Sequence, residues 1–547
     1  MDLTGEFDRA RRLIFAADEQ AAKDLLLSLM PRIEEADRDD LLMEVFAWLG
    51  EIYLVRTAYN GVEECVRRID DCLAIYRSIR AGTNPQAAAQ ATMTDRDIDH
   101  MLCRYTRRAQ FLRTGYAAAY HGDHEAAELA LLVLCNDGSD GAGQDFPDLA
   151  DEHQHLITYA RIICATALCD DDLYVQSVPL WDKVIKEIDR PGPSREADDF
   201  LFVAGATGYG RFCIETGRLS EAEPWLRRAG ARAEARGWAL AKARTQLERG
   251  AAASTRADWR ETQTLVHEAY PAIVEGYRAH DVARSWLYLG LIAIAVGRLD
   301  DADERLRHAE QHWRDVERPL HIHRILLQRS WVDILRSDFD SATSKVVEAR
   351  RILDSWPRHT WLQYARLDDH MGTILRAQAL ADSTNAATKL QQAADLKIPA
   401  ALAVDSVRYA IADANARMRW ATSVSARMLA GAFAVVYEWG ETDLLSEMIE
   451  YHCARGAFTA EPKEAAIAEW MDAATAAVPV EADEEYALVA AGAASVGDTS
   501  GLTRLGPLPP LRMDPDVPPI MSRYRELAQQ RYGRDITADE AAWSTWP

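Results

Sequence analysis

Histidine stands beside carboxylate twice in this sequence, in HGDHE at 121–125 and EHQH at 152–155, the donor types of a zinc site. A metalloprotease helix would carry HExxH, which sets two imidazoles on one face, and that spacing does not occur. HGDHE also reads as a turn in which Gly-Asp serves the backbone, so its histidines need no ion. In HIH at 321–323 the imidazoles are two residues apart and fall on different faces of a helix. The eight cysteines, at 65, 72, 103, 135, 164, 169, 213 and 453, include no CxxC pair and read as small buried hydrophobes. No GxSxG, P-loop or dinucleotide glycine pattern occurs either. These residues predict no metal, no cofactor and no catalysis.

Recognition chemistry is better marked. KARTQLERG at 242–250, VARSWLYLG at 282–290, IHRILLQRS at 322–330 and YARLDDHMG at 364–372 each hold an arginine at the third place: Arg244, Arg284, Arg324 and Arg366. Three and seven residues on, the same helical face carries Leu247 and Ala251, Leu287 and Leu291, Leu327 and Trp331, and Asp369 and Thr373. A cation beside apolar neighbours suits an acidic amphipathic segment, with Arg244, Arg284, Arg324, Arg366, Leu287, Leu327 and Trp331 as partner-binding candidates. The competing reading is local: duplicated sequence inherits duplicated ion pairs, and each arginine meets an acid of the adjacent unit.

The elements that would position these residues repeat about every 40 residues. Gly210, Gly250, Gly290, Ser330 and Gly372 mark equivalent places on a first helix. Ala222, Ala302 and Ala342, then Ala229, Ala269, Ala309 and Ala349, mark one face of a second. GRLDD at 297–301 supplies a turn between them. In SWLYLGLIAIAVGRLDDADERLRHAEQHW, 285–313, this pattern resembles the tetratricopeptide repeat, although 40 residues exceed the usual 34, which implies longer helices or a longer connection. The resemblance implies an all-α, right-handed superhelical solenoid of nine or ten antiparallel helix pairs, whose first helices line a groove for peptides or partner helices.

Looser units fit EVFAWLGEIY at 44–53 and RTGYAAAYHGDHEAAELAL at 113–131, with a degenerate one turning at CDDD, 169–172, and a capping pair over 7–30. The stretch 78–100 reads as a long loop with part of a helix. The expected organisation is irregular helix pairs over 1–200, regular repeats over 201–400, further pairs over 401–475 and a Pro/Gly-rich extension over 476–547. A helix is expected at 520–533, opened by Pro518-Pro519 and closed by Gly533.

A formal charge of −24 opposes binding to a phosphate backbone. The longest apolar run, WLYLGLIAIAV at 286–296, is too short to cross a bilayer, and the N-terminus carries no secretory signal, so a cytoplasmic location is expected. The run LGPLPPLRMDP followed by a helix ending in RYG is similar to the segment joining helical repeats to the protease domain in actinobacterial CHAT (caspase-like) proteins. The sequence stops 14 residues after that helix, so the resemblance implies a protease supplied by a separate chain or lost. The expected function is a non-catalytic sensor or adaptor that binds a protein or peptide and controls such a protease in bacterial defence or signalling. The alternatives are a peptide-sensing regulator acting on transcription through a partner and, third, an enzyme whose site leaves no motif.

Overall fold

The computed structural model describes residues 3–36, 38–91, 93–136, 146–190, 195–411, 414–453 and 520–534. Among the described residues there is no β-strand. The chain divides into two compact units, Met1–Asp315 and Val316–Pro547.

In the first unit the helices pair in chain order. They are α1 (Leu3–Phe15) with α2 (Glu19–Glu35), α3 (Asp39–Val55) with α4 (Tyr59–Arg80), a short α5 (Pro85–Gln90), and α6 (Asp95–Tyr116) with α7 (His124–Asn136). Then come α8 (Ala150–Asp170) with α9 (Tyr174–Ile188), α10 (Glu196–Glu215) with α11 (Leu219–Ala235), α12 (Ala239–Thr255) with α13 (Trp259–Glu275), and α14 (Ala279–Ala295) with α15 (Leu299–Asp315).

The five helices α11 to α15 are each 17 residues long and are joined by three-residue turns. A helix and its turn thus occupy about twenty residues, which resolves the 40-residue spacing in favour of longer helices. Each turn ends the helix on one left-handed residue: Gly237 (φ 73°), Ala257 (φ 59°), Tyr277 (φ 53°) and Gly297 (φ 77°). The following N–H returns to the carbonyl five residues back, as from Trp238 to Ala233 (2.8 Å), Asp258 to Ala253 (3.0 Å) and Arg298 to Ala293 (2.8 Å). Alanine and tyrosine tolerate this conformation at some cost, and only the glycine turns stand out in the sequence.

Close approach within a pair depends on the small first-helix residue. A Cβ on Gly210 would lie 2.6 Å from the Leu226 side chain, and one on Gly290 2.9 Å from Leu306. The second-helix alanines 222, 229, 269, 302, 309, 342 and 349 have no exposed surface, so their methyls form the seam on which helices stack. The stretch read as a long loop at 78–100 holds α5, capped by the Asn84 side chain on Ala87 N (3.1 Å), and the start of α6, opened by a Thr94–Asp97 capping box.

The α1–α2 pair packs on α3 through Ile14, Leu26, Leu29, Val45 and Leu49. Its turn reaches far along the unit. Phe15 stacks on Phe200 of α10 with centroids 4.8 Å apart and is buried with Val203, Ala233 and Trp238. Glu19, 2% exposed, forms an ion pair with Arg278, 259 residues away in sequence.

The second unit holds α16 (Pro319–Leu335) with α17 (Phe339–Ser355), and α18 (Trp361–Ala381) with α19 (Ala386–Ala410). It continues through α20 (Ala414–Trp420), α21 (Ala426–Trp439), α22 (Thr442–Cys453) and α23 (Ser522–Tyr532). α19 is its core: Ala393, Ile398, Ala400, Ala403, Val404 and Val407 are completely buried. α23 ends at Gly533 in the left-handed region (φ 63°) and lies against α19 and α18. The Tyr532 hydroxyl donates to Asp368 Oδ2 (2.7 Å), and the Arg534 guanidinium sits 4.9 Å over the Trp361 ring. The Pro/Gly-rich stretch 478–519 lies outside the described residues.

Candidate functional site

The arginines at the repeated position do not share one environment. Arg284 on α14 makes a forked pair with Glu248 on α12, Nη1 to Oε1 at 2.5 Å and Nη2 to Oε2 at 2.9 Å. The two side chains are 17% and 5% exposed. Arg244 on α12 places Nε 3.0 Å from Asp281 Oδ2 on α14. In these two the arginine meets an acid of the neighbouring pair. In the second unit Arg324 and Arg366 are half-buried on α16 and α18, and Arg366 has no ion-pair partner among the described residues.

The apolar candidates also differ. Leu287 and Leu327 are half-buried, whereas Trp331 is 38% exposed and meets His370 of α18 edge-on at 5.3 Å. His370 is itself buried and bonds Ser330 Oγ at 3.1 Å, and burial pushes its pKa down to about 4, so this imidazole is neutral. One turn beyond Trp331, Leu335 is 52% exposed.

Sequence reasoning missed a stronger apolar face. On α7, Leu129, Leu132 and Val133 are 60%, 49% and 58% exposed, while Ala127, Leu131 and Leu134 face the core. The run LALLVL at 129–134 has no polar side, and a helix apolar all round has one face to cover beyond its own core. That was the available signal.

A second feature lies on the first helices α3, α6 and α8. Glu44 and Glu51 of α3 flank Trp48 at one-turn spacings and face Arg104 and Arg108 of α6 and Glu152 of α8, at the floor of a cavity of about 580 Å³. Glu44 accepts from Trp48 Nε1 (2.8 Å), Tyr105 Oη (2.9 Å), Arg104 Nη2 (3.3 Å) and Arg108 Nη1 (3.1 Å). Burial would raise its pKa, but the two guanidiniums and these donors together hold it below the usual carboxylate value. Glu51 receives one bond, from Arg108 Nη2 to Oε1 at 3.1 Å, and burial pushes its pKa up to about 7 against the pull of Arg108. Arg108 is 2% exposed and stacks 4.2 Å over the Trp48 ring.

The histidine groups are engaged locally. His124 Nε2 lies 2.9 Å from Asp171 Oδ2, His153 Nε2 lies 2.8 Å from the Leu134 carbonyl oxygen, and His155 packs among Phe15, Tyr159 and Phe200. Among the described residues no three His, Cys, Asp or Glu side chains are grouped to hold a metal. No described helix is long and apolar enough to cross a membrane.

These helix pairs define the chain as an all-α helical-repeat solenoid. No protein-family model and no curated protein matches the sequence. Among solved structures, yeast Tom70 is similar over 83% of this chain and 95% of that chain, at 11% identity and a TM-score of 0.30. The solenoid class rests on the pairing of the chain's own helices, and that faint likeness adds nothing to it.

Proposed function

We propose that this protein is a non-catalytic, protein-binding scaffold. The observation that carries the reading is the α7 stripe Leu129–Leu132–Val133, about half exposed on a helix whose opposite side already fills the core. Adjacent exposed aliphatic side chains lose little and gain about 25 cal/mol per Å² when a partner covers them. Leu327, Trp331 and Leu335 on α16, with Arg324 and Arg366, offer a second face in which an apolar strip lies beside cations, suited to an acidic amphipathic segment. Arg284, Arg244 and Leu287 belong to the same reading in the first unit, and there a partner's carboxylates would compete with Glu248 and Asp281.

The finer form of the proposal is that the partner is a CHAT-type protease in a defence or signalling pathway. Its support is the LGPLPPLRMDP run and the RYG-ended helix at the C-terminal side. A regulator that senses a small ligand is a second reading, favoured by the charged cavity of the first unit.

Affinity capture from the native cell tests the scaffold. Leu129→Glu/Val133→Glu should lower recovery of the co-purifying protein at least tenfold, while the melting temperature shifts by no more than about 1–2 °C, as for other surface changes. Unchanged recovery from the folded variant would remove α7 as the docking face. Identification of a caspase-like protease in the wild-type eluate would support the finer form.

A further inference from the structure

The floor of the first unit's cavity is one cation short. Among the described residues Glu44, Glu51 and Glu152 are met there by two guanidiniums, those of Arg104 and Arg108. Arg104 is committed to Glu152, with Nε to Oε2 at 2.8 Å, and to Glu44. Arg108 is divided between Glu44 and Glu51, with Glu152 at 3.6 Å. Glu51 is 8% exposed, yet its Oε2 accepts no hydrogen bond among the described residues. A half-satisfied carboxylate that deep, lining an open cavity, leaves room for a ligand donor.

At the mouth each exposed acid has an arginine partner. Arg11 pairs with Asp8 (2.9 Å), Arg190 with Glu187 (2.8 Å), and Arg195 with Asp151 (2.6 Å) and Asp198 (2.9 Å). The lining also includes the apolar and aromatic side chains of Phe7, Phe15, Trp48, Leu156 and Leu201.

We propose that this cavity binds a primary ammonium group carried on an apolar stem, with Glu51 as its counter-ion. A guanidinium would need both carboxylate oxygens for its fork, and Arg108 already holds Oε1, so the compact single-point ammonium fits the one oxygen left. The stem lies against the Trp48 and Phe15 rings, and 580 Å³ is the size of ordinary small-ligand sites. Burial pushes the Glu51 pKa up to about 7, so a bound cation would displace a proton from this carboxyl below that pH. His155 cannot supply the charge, because burial pushes its pKa down to about 4. This inference goes beyond the scaffold proposal and does not rest on it.

Calorimetry on the full chain tests it with phenethylamine, its neutral counterpart 2-phenylethanol, and the blocked dipeptide acetyl-Phe-Lys-amide. At pH 8 one or both ammonium probes should bind saturably, at least tenfold more tightly than 2-phenylethanol. The free amine winning would indicate a small-molecule source, the dipeptide winning a lysine side chain. Glu51→Gln should weaken the ammonium probe at least tenfold and leave 2-phenylethanol unchanged. Wild-type protein at pH 6 should release about one proton on binding, and almost none at pH 9. The charged and titratable groups around Glu51 are Glu44 on its own helix, Arg104, Tyr105 and Arg108 from α6, Glu152, His155 and Tyr159 from α8, and Asp8 and Arg11 from α1. Loss of the proton release in Glu51→Gln assigns it to Glu51. No saturable binding of either ammonium probe, or equal affinity for the amine and the alcohol, would overturn the proposal even if the variant failed to fold.

Discussion

Arg108→Met should cost the first unit about 3–5 kcal/mol at pH 8, the usual loss when one partner of a buried ion pair is removed. The side chain is 2% exposed and neutralises Glu44 and Glu51 at once, so its loss leaves Arg104 alone with three carboxylates. Methionine keeps much of the volume over Trp48 and none of the charge. The deficit should also depend on pH, with a definite sign. Glu51 has a folded pKa of about 7, raised above its unfolded value near 4.5. Its contribution to stability is therefore fully present below about pH 4.5 and is lost as pH rises through 7, on the order of 3 kcal/mol in all. Without Arg108 the carboxyls can be kept neutral at pH 5 but not at pH 8, so the variant should lose least at pH 5. Urea unfolding of both proteins at pH 5, 6.5 and 8 measures this, and Arg108→Met/Glu51→Gln should recover part of the loss at pH 8. A deficit under 1 kcal/mol that does not change with pH would contradict the buried charge cluster.

Arg284→Met is expected to be of similar size, about 3–5 kcal/mol, because it strands Glu248 at 5% exposure. The equivalent Arg366→Met should change stability by no more than about 0.5 kcal/mol, since no acid pairs with it among the described residues. Arg284→Met/Glu248→Leu should restore most of what the single change removes, because it exchanges a buried pair for apolar volume. Thermal and urea unfolding of the four proteins decide the point. If Arg284→Met were as mild as Arg366→Met, the guanidinium would be free for a partner and the ion pair with Glu248 would carry no weight.

The repeat itself was open to reading because its determinants are local. A glycine or serine every 40 residues on the first helix and alanines on the second report close approach within one pair, which needs no knowledge of the rest of the chain. The turns were legible where glycine filled the left-handed position, as at 297, and silent where Ala257 or Tyr277 did. The arginine row could be seen, but its division could not, because pairing depends on which residue of the next helix faces it. Glu248 and Asp281 were nevertheless visible, four residues after Arg244 and three before Arg284, and each meets the arginine of the other helix. Phe15 and Glu19 looked like part of a simple cap. Their partners Phe200 and Arg278 lie 185 and 259 residues on, and no periodicity encodes such a contact. Within EVFAWLGEIY, the spacing of Glu44, Trp48 and Glu51 placed two acids and an indole on one face. Their meaning depended on Arg104 and Arg108, which belong to the next pair.

The claim that this solenoid binds another protein through apolar faces is tested most directly by photo-crosslinking in the native cell. Benzoylphenylalanine would replace Leu132 on α7, Trp331 on α16 or, as a control, Glu304, which is 61% exposed on α15. The account predicts that position 132, position 331 or both yield a discrete adduct with a different protein and that position 304 does not. Adducts of this chain with itself alone, or the same diffuse labelling from all three positions, would contradict it.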